Sequence, residues 1–197
     1  MKMFCFTAVL WFLLAAAQCS PLGHALQEEP CGAVRKSSLH LNRIARTVST
    51  EARNGSNNID DFTSALAWIE PKDMCDPQTL KHNPETCLVK LLDVFSSYSS
   101  AVQRLSGFES CSKFASKLQP AMHKLHQDMS RCVHARVGRH LQQHLKEERL
   151  EVVDPWKQPS LCRFTLDRLF SFSILTARVF AVGDPSQHTA GSYHRCM

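Results

Sequence analysis

Ten histidines and nine cysteines are the residues of this 197-residue chain best suited to chemistry. His140 and His144 are four apart, on one face of a helix, where two imidazoles could clamp zinc. His123 and His126 lie upstream. No glutamate stands between His140 and His144 as in H-E-x-x-H, where it would serve as general base. Their neighbours Arg139, Gln142, Gln143 and Lys146 are those of a solvated face. Serines are plentiful, but no G-x-S-x-G elbow presents one as a nucleophile, and there is no P-loop or G-x-G-x-x-G turn. No two cysteines have C-x-x-C spacing, so neither a zinc ribbon nor a thioredoxin-type centre is indicated. The expectation is a protein without catalytic, metal or cofactor chemistry, which acts by binding.

The elements that would carry such a surface are helical. Seven glycines are few, and twenty-two leucines stand against four isoleucines and twelve valines. With 44% hydrophobic residues and a moderate charge of +5, the chain suits one folded domain. The charge is small and dispersed, so nucleic acid is not an expected partner. Lys2 begins a short basic start, Phe4 to Ala17 is apolar, and small residues follow to Ser20. Fourteen apolar residues are too few to span a bilayer of about 30 Å. Residues 1–19 are read as a secretory signal peptide, with a signal anchor as the alternative. No later stretch reaches about 18 uninterrupted apolar residues, so a secreted, soluble chain without membrane insertion is expected. Loss of Lys2 with the leader brings the charge to +4. Seven cysteines remain after cleavage, so at least one lacks an intramolecular partner, and in an oxidising compartment most should pair. Asn54-Gly55-Ser56 is the only N-glycosylation sequon, which predicts a surface position for Asn54.

Four long helical patterns follow the leader. Val34, Leu41, Ile44 and Val48 give an amphipathic helix over 32–53 with a basic outer face, stopped by Asn54-Gly55. Residues 55–83 read as a crossover, with a short helix around 62–68. The second helix opens at Asn83-Pro84-Glu85-Thr86, carries Leu88, Leu91, Phe95, Tyr98, Val102 and Leu105, and ends at Gly107. The third runs from Phe114 through Leu118, Met122, Leu125, Met129, Val133 and Val137 to Leu141 and Leu145, with a kink or start expected at Pro120. The fourth covers about 160–182, with Leu166, Leu169, Phe172, Leu175, Val179 and Val182 inward and Gly183 as its stop. It is apolar on nearly every side, which predicts the most buried helix. Residues 184–197 read as a flexible tail. A 25-residue helix is about 37 Å long. The first connection is long enough to run that length, which makes helices one and two parallel; the second is too short, which makes two and three antiparallel. The third, 149–159, spans at most roughly 35 Å, a taut second crossover that relaxes if the third helix ends near Gly138. The expected fold is all-α: a long-chain four-helix bundle, up-up-down-down, over 20–183. An up-down ending is the alternative.

Short anchors in this framework resemble the interleukin-6 superfamily. Pro30-Cys31, Cys75, Cys132, Leu161-Cys162-Arg163-Phe164 and Arg178-Val179-Phe180 are similar to the leukaemia inhibitory factor and oncostatin M subgroup, with the fish-type leukaemia-inhibitory-factor-like cytokines nearest. Glu85-Thr86-Cys87-Leu88-Val89-Lys90 looks like the interleukin-6 signature at the start of helix two, although Val94-Phe95 replaces its Gly-Leu. The resemblance covers most of the mature chain. It implies disulfides Cys31–Cys132 and Cys75–Cys162; a Cys75–Cys87 link, as in interleukin-6, is the competing assignment. Cys87, Cys111 and Cys196 are otherwise left without assignment.

The resemblance implies a monomeric secreted ligand that brings together receptor ectodomains, glycoprotein 130 and a second chain, so that their kinases meet. An interleukin-6 or granulocyte colony-stimulating factor-like ligand is the alternative within the class. A secreted helical lipid carrier, using the apolar fourth helix, is the alternative from another class. One receptor face of the family lies on helices one and three, where this chain offers Arg35, Arg43 and Arg46 with Lys124, Asp128 and Arg131. The other lies at the start of helix four, where the subgroup carries Phe-x-x-Lys. Pro155 and Gln158 stand at those positions here, and Trp156-Lys157, one residue along, supplies an aromatic and a cation.

Overall fold

A computed structural model describes residues 31–54, 75–138 and 153–189. Among these residues the secondary structure is helical, with five α-helices and no strand. Helix α1 is Gly32–Asn54; Val34, Leu41 and Val48 of its predicted stripe are buried, with Ala45, while Ile44 is only partly buried. Helix α3 is Glu85–Leu105 and buries Leu88, Leu91, Phe95, Tyr98, Val102 and Leu105. The six positions whose spacing predicts the second helix are all inside.

Helix α2, Pro77–His82, has no apolar period and was not expected. Its signal is chemical. Asp76 Oδ1 accepts from the backbone N–H groups of Gln78 (3.0 Å) and Thr79 (3.1 Å), and Oδ2 accepts from the Thr79 hydroxyl (2.7 Å). Pro77 occupies the first turn, where its missing N–H costs nothing. These bonds, the Thr79 hydroxyl first, hold the Asp76 carboxyl below its ordinary value. The cap is therefore complete above that value and is lost as pH falls through the lowered one.

Helix α4 is Ser112–Val137 and passes through Pro120 without starting there. Pro120 and Ser116, whose carbonyl loses its helical donor, both lie on the exposed side, so solvent can satisfy that carbonyl. Gly138 closes the helix with φ +77°, a conformation that suits a residue without a Cβ. Leu141 and Leu145, expected to continue the stripe, lie outside the described residues, as do the short helix expected at 62–68 and residues 190–197. Because α4 closes at 137, residues 138–157 connect it to the last helix. Fully extended at about 3.3 Å per residue, a chain of that length has an upper reach of some 65 Å.

Helix α5 is Gln158–Val179, followed by Gly183 at φ +86°. It buries nine residues, as α3 and α4 do, but it leaves only Pro159 and Arg168 exposed, against five positions of α3 and twelve of α4, so it is the most enclosed of the three. Leu175 and Val182 are only partly buried, and Thr165, Ser173 and Thr176 lie inside. Two of these hydroxyls are satisfied locally: Ser173 Oγ donates to the Phe170 carbonyl (2.6 Å) and Thr176 Oγ1 to that of Ser173 (3.0 Å). Bonding back along its own helix lets a hydroxyl sit in a core position.

Helix α1 packs against α4 and α5, and α3 packs against the same two. Phe172 of α5 stacks on Phe95 (6.0 Å between centroids) and lies 5.1 Å from Tyr98. Asn42 Nδ2 donates to Ser173 Oγ (3.0 Å), Ser49 Oγ donates to Asp167 Oδ1 (2.5 Å), and Arg53 Nε sits 3.0 Å from the same carboxylate. The Tyr98 hydroxyl is buried and meets no hydrogen-bond partner among the described residues, and burial pushes its pKa up to about 12. Tyr98→Phe removes a desolvated hydroxyl and keeps the ring contact. Denaturant midpoints should show unchanged stability or a gain of up to about 1–2 kcal/mol; a clear loss would mean that the hydroxyl is satisfied in solution.

Three disulfides join these parts: Cys31–Cys132, Cys75–Cys87 and Cys111–Cys162. The Cys75–Cys162 pair implied by the resemblance is not formed. Cys75 lies directly before α2, and its nearby partner is Cys87 in the first turn of α3. Cys162 meets Cys111, the residue that opens α4.

Residues 184–189, expected within the flexible tail, are instead packed. The 3-10 turn Pro185–Gln187 lies against α2, and Asp184, Pro185 and His188 are buried. Asp184 pairs with Arg136 at the end of α4. His188 Nε2 lies 2.5 Å from the Val179 carbonyl, which only accepts, so this nitrogen carries the hydrogen.

Candidate functional site

The head of α5 carries the most exposed large apolar side chain described. Trp156 is 69% exposed, in the 3-10 turn Pro155–Lys157. Pro155 sets the turn, and the Asp154 carbonyl accepts from Lys157 N–H at 2.9 Å. Lys157 Nζ lies 4.8 Å over the Trp156 ring and 3.0 Å from Asp154 Oδ2. Pro159, in the first turn of α5, continues the chain into the helix, and Cys162–Cys111 fixes that turn to the start of α4. Two further cation–aromatic pairs occur on these helices: Arg168 with Phe164 (5.1 Å) and Lys113 with Phe114 (5.2 Å). A large aromatic held on the outside by a turn, rather than folded under it, has the geometry of an interface anchor.

A second surface lies along α1 and α4. Arg35, Leu39, Arg43 and Arg46 recur at spacings of four, four and three, all exposed, so they form one outward stripe. Leu39, which the sequence did not single out, is the other exposed large apolar residue, at 37%. Beside the stripe is an open groove of about 470 Å³, lined by His40, Arg43, Ile44, Thr47, Val48 and Lys117. Its floor is apolar and its rim basic. Lys117 Nζ is 2.8 Å from Glu51, which spans the two helices and holds the Glu51 carboxyl below its usual value.

Lys124 and Arg131 are exposed on α4, but Asp128 is not a surface residue. Its side chain is 1% exposed, and one oxygen, Oδ1, accepts from Lys124 Nζ (2.7 Å) and Arg131 Nη2 (2.9 Å). Oδ2 is buried and meets no donor among the described residues. Residue 128 falls on the buried stripe with Leu125, Met129 and Cys132, and the sequence period alone puts a charge there only as an exception.

The Arg35 end of the second surface is remote from the head of α5, whereas its groove reaches Lys117, six positions along α4 from Cys111. Cys31–Cys132 places the Arg35 end of α1 at the far end of α4, whereas Cys111–Cys162 places the head of α5 at its start. Cys111 and Cys132 are 21 positions apart in sequence, about 30 Å along a helix. Asn54 is the last residue of α1 and is exposed; the rest of its sequon lies outside the described residues.

Among the described residues the histidines are not gathered. His126 is partly buried beside Phe95 (6.3 Å), while His123 is exposed and bonded to Gln127 (2.8 Å). His140 and His144 lie outside the described residues. Among the described residues no three metal-ligating side chains converge, and no helix is long and apolar enough to cross a membrane. Burial, then the charge of His123, lowers the His126 pKa below 6.5. The unfolded chain therefore binds this proton more readily, and stability should decline as pH falls below about 6.5. Thermal melts between pH 7.5 and 5 should show that decline, and His126→Gln should flatten it; an equal slope in both proteins would exclude His126 as its source.

No family model, curated protein or solved structure matches the chain.

Proposed function

We propose that the chain is a secreted cytokine of the interleukin-6 type, an up-up-down-down four-helix bundle that brings together receptor chains including glycoprotein 130. The topology is supported by where helix ends meet. Cys31 and Glu51, near the two ends of α1, contact Cys132 and Lys117, near the opposite ends of α4. Asn42 and Ser49 of α1 meet Ser173 and Asp167 of α5, in reversed order. Cys111–Cys162 joins the starts of α4 and α5, and only residues 106–111 separate α3 from α4. With α1 and α3 one way and α4 and α5 the other, two long crossovers are needed, and both connections have the length.

The observation that carries the functional reading is Trp156, exposed at the head of α5, where the resemblance puts one receptor face. The basic α1 stripe with Lys124 and Arg131 lies where it puts the other. Two distinct faces suit a ligand that holds two receptors at once. Activation is then proximity: the chain performs no reaction and supplies only geometry.

Cys75–Cys87 favours a second reading within the class, because that pair is the one shared with interleukin-6. A panel of immobilised receptor ectodomains decides between them. Glycoprotein 130 and one further chain should bind the protein, and the identity of that chain separates a leukaemia-inhibitory-factor type from an interleukin-6 type. Silence across the panel, with no receptor-linked phosphorylation in cells bearing the full set, rejects the cytokine reading.

A further inference from the structure

We infer that Asp128 is a positioning residue: buried beneath the α1/α4 surface, its carboxylate holds Lys124 and Arg131 as a preset pair of cations for an acidic group of the partner. The use of that pair rests on the receptor-binding reading above; the way it is held does not.

The geometry is one buried acceptor beneath two exposed donors. Lys124, Asp128 and Arg131 follow at four and three positions on α4, and both cations reach the same oxygen, at 2.7 and 2.9 Å. Asp128 is 1% exposed in its side chain, whereas Lys124 and Arg131 are 56% and 65% exposed. Each cation spends one donor on the carboxylate. Arg131 Nε also donates to the Gln127 carbonyl one turn back (3.4 Å). The ammonium therefore keeps two more donors and the guanidinium three, as those groups carry three and five.

Stability is a poor reason for this acid. Desolvating a carboxylate often costs more than its ion pairs return, and an apolar side chain of similar volume commonly serves as well. The position lies among buried Leu125, Met129 and Cys132, and Oδ2 meets no donor among the described residues, which adds to the cost. What a carboxylate does here that an apolar side chain cannot is restrain two long cationic side chains. Their rotamer entropy is then lost in folding rather than on binding. Two cations over one anion leave a net positive charge, which selects an acidic partner surface.

The test uses Asp128→Asn, which keeps the shape and removes the charge, beside Asp128→Ala in case one variant folds poorly. The first readout needs no partner: the NMR order parameter of the Arg131 Nη2 group, which meets Asp128, rather than of Nε–H, which the Gln127 carbonyl also holds. It should fall from the range of rigid groups, about 0.85, toward that of flexible ones, below about 0.6. The second readout is dissociation from the glycoprotein 130 ectodomain, expected to quicken roughly tenfold. Association should hold or rise, because a negative charge has been removed. In a Lys124→Ala/Arg131→Ala background, Asp128→Asn should add nothing further, whereas a merely structural role would add in full. An unchanged Arg131 order parameter, or full additivity, overturns the inference. If the wild-type protein binds no receptor ectodomain, the receptor reading falls and the order parameter alone decides whether Asp128 positions the pair.

Discussion

Replacing Cys31 and Cys132 together by serine should lower the melting temperature by roughly 10–15 °C, the largest stability effect expected of any change outside the apolar core. The bond joins residues 101 apart in sequence. In the chain-entropy account a loop of that length removes about 4.7 kcal/mol of freedom from the unfolded chain. The separations for Cys111–Cys162 and Cys75–Cys87 are 51 and 12 residues, which correspond to about 4 and 3 kcal/mol. The three paired-serine variants should therefore melt in that order, the Cys31/Cys132 variant lowest. Calorimetry at neutral pH reads the order directly. If the Cys75/Cys87 variant melts lowest instead, local docking outweighs loop entropy. That bond fixes α2, which in turn supports the 3-10 turn at 185–187, so its loss would release both elements.

Trp156→Ala should weaken receptor binding by about 2 kcal/mol or more, near 30-fold, while leaving the fold intact. The separation of the two effects follows from exposure. At 69% exposed, Trp156 gives the free protein little burial energy, and truncation of such a side chain ordinarily changes stability by less than about 0.5 kcal/mol. On binding, the whole indole becomes available to be desolvated, at little entropic cost for its size. Lys157 lies over the ring and is tied to Asp154, so it helps to hold the indole in place. Exposed cation–aromatic contacts contribute about 0.5–1 kcal/mol, so Lys157→Ala should be the milder variant. Matched melting curves with a raised Kd on the receptor panel constitute the expected result. Unchanged binding on every receptor that recognises the wild type would remove the head of α5 from the interface, and a falling melting temperature would show that Trp156 supports the fold.

Most of the scaffold is legible in the residues because amphipathic periodicity is a local property. The stripe of α3 can be read from Leu88 to Leu105 without knowing what covers it, and α1 is equally plain. Helix ends are less legible. Gly138 was readable only as a possible stop, since apolar spacing continues past it to Leu145. Helix α2 escaped the period altogether because six residues make too few turns to show one; the Asp76-Pro77 cap was its only signal. The apolar look of α5 reads its enclosure correctly but not every inward position. Hydroxyls that bond back to their own helix occupy some of those positions, and Leu175 is left half outside.

The surfaces divide along the same line. Exposed cations at helical spacing made Arg35, Arg43, Arg46, Lys124 and Arg131 visible in the sequence, because a solvated stripe repeats as regularly as a buried one. Asp128 looked like their companion. The packing of α4 shows it to be buried among Leu125, Met129 and Cys132: residues three and four apart are neighbours on one side of a helix, and the two long cations extend outward from there while the short carboxylate stays inside. Trp156 could have been core or surface by composition, and the turn before α5 decides for surface. By itself the sequence determined the helical class, the positions of the long helices and which residues carry charge, all of which follow from backbone propensity and local period. The tertiary structure alone decided which cysteines are neighbours, which acid is buried and how 184–189 docks. Those outcomes depend on distances between residues far apart in the chain, and no local spacing encodes them.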